Sequence, residues 1–376
     1  MSVVGARPNF MKIAPFLREL GRFQWRFDSR LVHTGQHYDR EMSAAFFDAL
    51  RIPLPDVHLG IGSGTHSEQV GNTMIAFEET VRAWRPDWVV VVGDVNATCA
   101  CAITAKKECL RLAHIEAGLR SFDMTMPEEI NRIVTDRLSD LQFTTDEVAD
   151  ANLAREGADP ERIRRVGNIM IDTLDSERDA ASTLVPDTIL RDHRLSQDAP
   201  LPPLVDDRYA LLTLHRPSNV DDRAALAGLV RYFLDEIAPD FPIVWPLHPR
   251  CRKQLEAFGL WDAVRASTRI ALVQPLGYRE TLRLNMGARL VFTDSGGLQE
   301  ECCVLGTPCI TLRENTERPV TLRERGGTSL LAGHDVPRIR AAVRQQRDAP
   351  RHTNRPPLWD GRAAERIVAA FREMLD

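Results

Sequence analysis

The segment DWVVVVG, residues 87–93, limits what this chain can fold into more than any other feature. Four consecutive valines are too few for a stable helix, and they do not alternate with polar residues. A strand with no polar face belongs in a parallel sheet covered on both sides. Beyond Gly93 the chain keeps the same rhythm. NATCACAITAKKECL reads as a helix, RLAHI (111–115) as a strand, Pro127 as the first residue of another helix, and LQFTT (141–145) as a further strand. Strand and helix in alternation predict an α/β fold built on a doubly wound parallel sheet.

The rhythm breaks between Ser176 and about Asp207, where the chain is charged, carries prolines and shows no strand-like run. It resumes with YALLTL (209–214), PIVWPL (242–247), RIALV (269–273), RLVFT (289–293) and PCITL (308–312). At 376 residues two domains are the default. The expected division is a first domain over 1–170, a helix and surface connection over 171–207, and a second α/β domain over 208–357. DAPRHTNRPP (348–357) reads as a linker and GRAAERIVAAFREML as a final amphipathic helix. The two halves show no sequence repeat.

Composition narrows the function classes. A net charge of −5 argues against a nucleic-acid partner, which favours a basic face. Seven cysteines, an odd number without a CxxC pair, read as reduced core thiols of a cytoplasmic protein rather than as disulfides or a zinc site. No stretch approaches the roughly 20 apolar residues of a membrane span, and the N-terminus lacks the apolar centre of a signal peptide. GIGSGT (60–65) is not GxGxxG and follows no buried strand, and there is no GxxxxGK[ST] loop, so neither NAD nor ATP is expected as a cofactor. His33, His37 and Asp39 have a metal-like spacing but no closed ligand set; they read as a polar active-site loop, and no metal is expected.

In an open parallel sheet, ligands bind at the carboxyl ends of the strands. Asp94 follows VVVVG, Glu116 follows RLAHI, His215 follows ALLTL, His248 follows PIVWPL, and Asp294-Ser295 follow RLVFT. Any one acid in such a place is as well explained as a helix cap; the whole set is not. In TDSGGLQEECCVLG (293–306) a strand runs into Ser295, Gly296 and Gly297 and a helix begins at once. Small residues at a helix N-terminus let backbone N–H groups approach an anion, and the dipole favours negative charge there. Glu301 lies one turn further on, within reach of a hydroxyl beside a bound phosphate, and Arg318 is a phosphate or ribose partner.

The motifs in order are GARPNFMKIAP, TGQHYDREM, VVVVGDVNAT, HIEAGLRS, MPEEINR, LLTLHRPSNVD, DSGGLQEE and ENTERPV. With these, nearly the whole chain resembles the UDP-N-acetylglucosamine 2-epimerases, especially the non-hydrolysing bacterial kind. It departs from the family pattern at Ser218, where many members carry Glu, and at Arg279-Glu280-Thr281, where apolar or aromatic residues are common. The resemblance implies a glycosyltransferase-B-like architecture of two Rossmann-like domains facing across a cleft, with the C-terminal helix (361–376) packed back on the first. It further implies a homodimer and, in many members, activation by UDP-GlcNAc at a second site.

The reaction so implied interconverts UDP-GlcNAc and UDP-ManNAc without a cofactor, as in polysaccharide biosynthesis. UDP leaves C1 as a proton leaves C2, giving 2-acetamidoglucal, and UDP re-adds with inversion at C2. By motif position Asp94, Glu116 and Glu128 are the acid–base carboxylates, and His215 stands near the leaving oxygen. Arg7, Lys12, Arg318 and the helix N-terminus at Ser295-Gly296-Gly297 hold the diphosphate. His37, His248 and Glu301 contact substrate, Arg132 orients the Glu128 carboxylate or meets the substrate, and Glu129 reads as a first-turn acid favoured by the helix dipole. Three other outcomes fit the same motifs: a hydrolysing epimerase releasing ManNAc, an epimerase of a modified sugar such as a UDP-linked diacetamido uronic acid, or a glycosyltransferase. A nucleotide-sugar sensor fits the number of acid–base groups less well.

Overall fold

Valine-rich runs with no polar face bury themselves by pairing side by side under helices, and here they do so twice. The computed structural model describes residues 1–35, 50–195 and 201–374, the side chains of Arg7 and Pro8 excepted. One sheet contains β1 (Ser2–Val4), β2 (Leu31–His33), β3 (Val57–His58), β4 (Trp88–Val92), β5 (Arg111–Ala117), β6 (Leu141–Thr144) and β7 (Ile163–Arg165). Its order is β3-β2-β1-β4-β5-β6-β7, all parallel. The other contains β8 (Ala210–Thr213), β9 (Ile243–Pro246), β10 (Ile270–Val273), β11 (Leu290–Thr293), β12 (Cys309–Thr311) and β13 (Ser329–Leu331). Its order, β10-β9-β8-β11-β12-β13, is also all parallel.

Counted within each sheet, the first six strands follow one order, 3-2-1-4-5-6, although the halves share no sequence repeat. The order reverses between β1 and β4 in the first sheet and between β8 and β11 in the second. At such a reversal the loops leaving adjacent strands run to opposite faces and open a crevice, which is where open α/β sheets bind ligands. Asp94 follows β4 and His215 and Asp294 follow β8 and β11, so the strand-end polar residues stand at those two points.

The chain divides into two compact units, Met1–Thr173 with Pro356–Asp376, and Leu174–Arg355. Eight strands expected from apolar runs are present as β4, β5, β6 and β8 to β12. β1, β2, β3, β7 and β13 escape such a reading because they are two or three residues long, below the length at which periodicity carries information. His33, read as part of a polar loop, ends β2; its ring lies 5.4 Å from Phe10 and 4.7 Å from His58, and burial lowers its pKa to about 4. The stretch read as a helix and surface connection carries the helix Pro186–Asp192, whose Ile189 and Leu190 pack with Tyr209 and Leu211 in the second unit's core.

The final helix, Ala363–Glu373, belongs to the first unit. Its buried face, Ile367, Val368 and Phe371, sets the Phe371 ring 5.4 Å from Trp88 and 5.7 Å from Phe143. Each side chain so buried contributes about 1.5–3 kcal/mol of hydrophobic stabilisation. The Asp172 carboxylate accepts from the N–H groups of Ala363 (3.1 Å) and Ala364 (2.8 Å) and so closes the helix's first turn. Among the described residues no helix is long and apolar enough to cross a membrane. Of the seven cysteines only Cys109 is exposed.

Candidate active site

In the first unit the acids gather where β4 and β5 end side by side, with Val92 opposite Ile115. Gly93 leaves β4 with φ +66°, and the next residue is Asp94. A Cβ at Gly93 would lie 3.0 Å from Lys12 Nζ, so only glycine suits both the backbone angle and that approach. Lys12 Nζ lies 2.5 Å from Glu116 Oε2, and both residues are buried. Glu116 sits at φ +75°, where the register between β5 and β6 slips. A bulky residue in that region is strained by about 1–3 kcal/mol and persists only where its surroundings impose it.

The helix Pro127–Leu138 fixes the other side of this cluster. From it Arg132 places Nε and Nη2 at 3.0 and 2.9 Å from Asp94 Oδ2, and its Nη1 also binds Glu129. Asn131 Nδ2 donates to the Asp94 carbonyl at 2.9 Å. Glu129 is buried and accepts from Ser121 N and Oγ (both 3.0 Å) and from Phe122 N (2.9 Å), so it straps the loop after β5 to the helix. Glu128, one residue earlier, is half-buried in the helix's first turn. One end of the first sheet therefore carries two ion pairs, Lys12 with Glu116 and Arg132 with Asp94, the second joining Asp94 to the helix that bears Glu128.

In the second unit a buried carboxylate does the holding. Asp294 accepts from His215 N (2.9 Å), Arg216 N (2.9 Å) and Asn219 Nδ2 (3.0 Å), and its Oδ1 lies 2.6 Å from His215 Nδ1. Burial alone would raise its carboxyl, but His215 and these N–H groups outweigh burial and hold it at about 2. The His215 side chain is 37 % exposed; with Nδ1 turned to Asp294, Nε2 is the nitrogen left for chemistry. The His215 ring lies 5.9 Å from that of His248, whose Nδ1 accepts from Arg250 N (3.2 Å) and caps the helix after β9.

Beyond β11, Ser295 caps the helix Gly296–Leu305. Arg318 lies across its start: a Cβ on Gly296 would fall 2.4 Å from Arg318 Nη1. The guanidinium is held by Glu300 Oε1 (2.6 Å from Nε) and by Glu317, and Glu317 also accepts from Arg313 Nη2 (2.6 Å). Glu301 is buried on the same helix beside Tyr278 and Asn285, and its carboxyl is raised to about 7, first by burial and then, less strongly, by Glu300. A helix N-terminus with a buried arginine across it is suited to bind an anion.

A sequence profile of UDP-N-acetylglucosamine 2-epimerases matches residues 19–372. The chain belongs to the UDP-N-acetylglucosamine 2-epimerase family. It is 40% identical over 367 residues to the UDP-N-acetylglucosamine 2-epimerase of Methanocaldococcus jannaschii, covering 97% of this chain and 96% of that protein. The crystal structure of the M. jannaschii enzyme with UDP-GlcNAc and UDP superimposes at TM-score 0.89, with 39% identity and 99% of each chain covered. A Pseudomonas aeruginosa UDP-2,3-diacetamido-2,3-dideoxy-D-glucuronate 2-epimerase is 39% identical over 320 residues, 84% of each chain. The glycosyltransferase of kitacinnamycin, at 13% identity and TM-score 0.52, shares the fold alone, which is glycosyltransferase-B-like.

Within this UDP-sugar epimerase family framework, the expected residues separate into two groups. Asp94 with Arg132 and Glu116 with Lys12 form two ion pairs in the first unit, so Lys12, expected on a diphosphate, is the partner of Glu116. His215, His248, Ser295, Gly296, Gly297, Glu301 and Arg318 line the strand ends and helix start of the second. The Arg7 side chain and His37 lie outside the described residues. Asn9, His114, Asp136, Asn219, Glu300, Arg313 and Glu317 were not singled out from sequence, yet they hold the functional groups in place. The available signal was weak: a charged or amide residue inside an apolar segment, as with His114 in RLAHI.

Proposed function

We propose that the chain interconverts UDP-N-acetylglucosamine and UDP-N-acetylmannosamine by eliminating UDP to 2-acetamidoglucal and re-adding it with inversion at C2. The observation that carries this reading is the pair of strand-end carboxylates, Asp94 and Glu116, each held by its own cation in a chain 40% identical to an enzyme of that name. The C2–H of a hexosamine has no neighbouring carbonyl, so a carbanion there is inaccessible unless a leaving group departs with the proton. Elimination meets that need: the C2–H electron pair forms the C1–C2 double bond, and the C1–O bond breaks toward UDP. No electrons are gained or lost overall, so no oxidant is consumed.

In this reading Asp94, Glu116 and Glu128 exchange the C2 proton on the two faces of the sugar. His215, aligned by Asp294, stabilises or protonates the leaving phosphate oxygen. The N–H groups at Gly296 and Gly297, with Arg318, receive the diphosphate, and Glu301 receives a ribose hydroxyl. The similarity to the P. aeruginosa protein favours a second reading, in which the same elimination acts on a UDP-linked diacetamido uronic acid.

Incubation with UDP-GlcNAc in D2O, followed by NMR, tests both. UDP-ManNAc bearing deuterium at C2 is the expected product. Free ManNAc marks the hydrolysing course, and turnover of only the diacetamido uronate overturns the assignment in favour of the second reading. Silence toward both substrates removes the epimerase proposal.

A further inference from the structure

A second polar chain runs through the first unit from His114 to Glu156. His114 on β5 is fully buried, two residues before Glu116. Its Nε2 lies 2.8 Å from the carbonyl of Gly93, the residue before Asp94. Its Nδ1 lies 2.6 Å from Asp136 Oδ1. The other oxygen of Asp136 accepts from Gly118 N at 3.0 Å, two residues after Glu116, and from Arg120 Nη1 at 2.7 Å. Arg120 is itself clasped by Glu156, with both contacts at 2.7 Å.

Each ring nitrogen of His114 thus faces an acceptor, a carbonyl on one side and a carboxylate on the other. One imidazole fastens the turn after β4 directly and the turn after β5 through Asp136. The backbone is left-handed at Gly93 (+66°) after β4, at Glu116 (+75°) near the end of β5 and at Gly118 (+80°) just beyond it. Glycine takes that region without strain, but Glu116 holds it only where its surroundings impose it. The buried pair is part of those surroundings, and wedging adds to it, since a Cβ on Gly118 would lie 2.5 Å from the Ala149 carbonyl oxygen.

We propose that His114 and Asp136 are positioning residues for the epimerisation: by fastening both turns to one buried pair, they set the separation of the Asp94 and Glu116 carboxylates. This rests on the elimination reading of the site. Two carboxylates that exchange one proton on opposite faces of a ring tolerate little error in that separation, and a misplacement of about 1 Å costs about 10²-fold in rate.

Two substitutions divide the two tethers. The amide nitrogen of His114→Asn falls near Nδ1 and retains Asp136 while releasing Gly93. That of His114→Gln reaches toward Nε2 and retains Gly93 while releasing Asp136. For wash-in of C2 deuterium the expected result is a kcat about 10²-fold down in His114→Asn and about 10-fold down in His114→Gln, with KM changed less than about threefold. Amide hydrogen exchange, which needs no substrate, should quicken at Gly93 and Asp94 in His114→Asn and at Gly118 in His114→Gln. A purely structural role predicts a lower melting temperature with kcat per folded molecule intact, and that result overturns the proposal. Should the wild type turn over no UDP-sugar, the function reading fails by itself, while unchanged exchange at both turns would still refute the tethering. If His114→Asn does not fold, His114→Gln carries the test through Gly118.

Discussion

Asp94 in the first unit and His215 in the second stand at equivalent reversals of strand order, yet they are built with opposite sign. The Asp94 side chain is 22 % exposed and is held by Arg132, which is 1 % exposed. The His215 side chain is 37 % exposed and is held by Asp294, which is fully buried. A buried cation presents an acid in one unit; a buried acid presents a base in the other. The shared scaffold supplies a strand end and a crevice, and the sign of the buried partner decides what chemistry is presented there. Stability obeys the same logic, because removing the exposed member leaves a buried charge uncompensated, at a cost of about 3–5 kcal/mol unless that charge has a second partner, while removing the buried member leaves a charge that water can reach.

The largest expected effect comes from breaking this contrast on its exposed acid. Asp94→Asn should lower turnover about 10³-fold or more while leaving UDP affinity, read by calorimetry, within a few-fold of wild type. Arg132 keeps Glu129 as a partner, so the melting temperature should hardly move. An Asp94→Asn enzyme with wild-type turnover would remove the first unit's acids from the mechanism.

In the second unit Asp294→Asn should lower turnover about 10²-fold, because an amide no longer imposes one orientation on His215. It should also alter the acid limb of stability. The Asp294 carboxyl is held at about 2 against an ordinary 3.8, so its contribution is complete above pH 4 and is lost as pH falls from about 4 to 2. Acid unfolding followed by circular dichroism should show that loss in the wild type and not in the variant. Equal acid limbs would mean that His215 and Asp294 do not form the pair described.

Gly296→Ala is a smaller, steric break. The new Cβ would come within 2.4 Å of Arg318 Nη1 and 2.9 Å of Glu317 Oε1, so the arginine must leave the helix start. UDP should bind about 10-fold more weakly, equal to about 1.4 kcal/mol, with C2 exchange at saturating substrate little changed. Unaltered affinity would show that Arg318 and the helix start do not meet the diphosphate.

The same division separates the residues legible in the sequence from those that were not. Asp94, Glu116, His215 and Asp294 were legible because each stands at the end of an apolar run that reads as a strand, and a parallel sheet fixes what lies there. The pairings were hidden, because joining Asp94 to Arg132 or His114 to Asp136 depends on how a helix settles on a sheet 22 to 38 residues away. Glu129 shows the limit well. Its place in a first helical turn suggests a dipole role, but the fold uses its two oxygens to strap Ser121 and Phe122. β7, the sequence IRR at the sheet edge, has no apolar run to announce it and exists through backbone pairing with β6.

The mildest prediction concerns a carboxylate that lies outside the acid cluster. Asp172 is raised to about 6, chiefly by burial, although the Ala364 and Ala363 N–H groups pull it down and Asp360 pushes it up. Because the ordinary value is 3.8, the folded chain holds an extra proton between about pH 4 and 6. Its contribution is therefore most favourable below pH 4 and declines as pH rises to 6, by an amount on the order of 1–3 kcal/mol. Asp172→Asn has no proton to lose. Its melting temperature relative to wild type should rise from pH 4 to 6 and then stay level, the reverse of the direction expected for Asp294→Asn below pH 4. Calorimetry at pH 4, 5, 6 and 7 reads that difference directly. A flat difference would mean that the helix Ala363–Glu373 is not seated on an ionising Asp172, and that the first unit's stability is set by its apolar contacts alone.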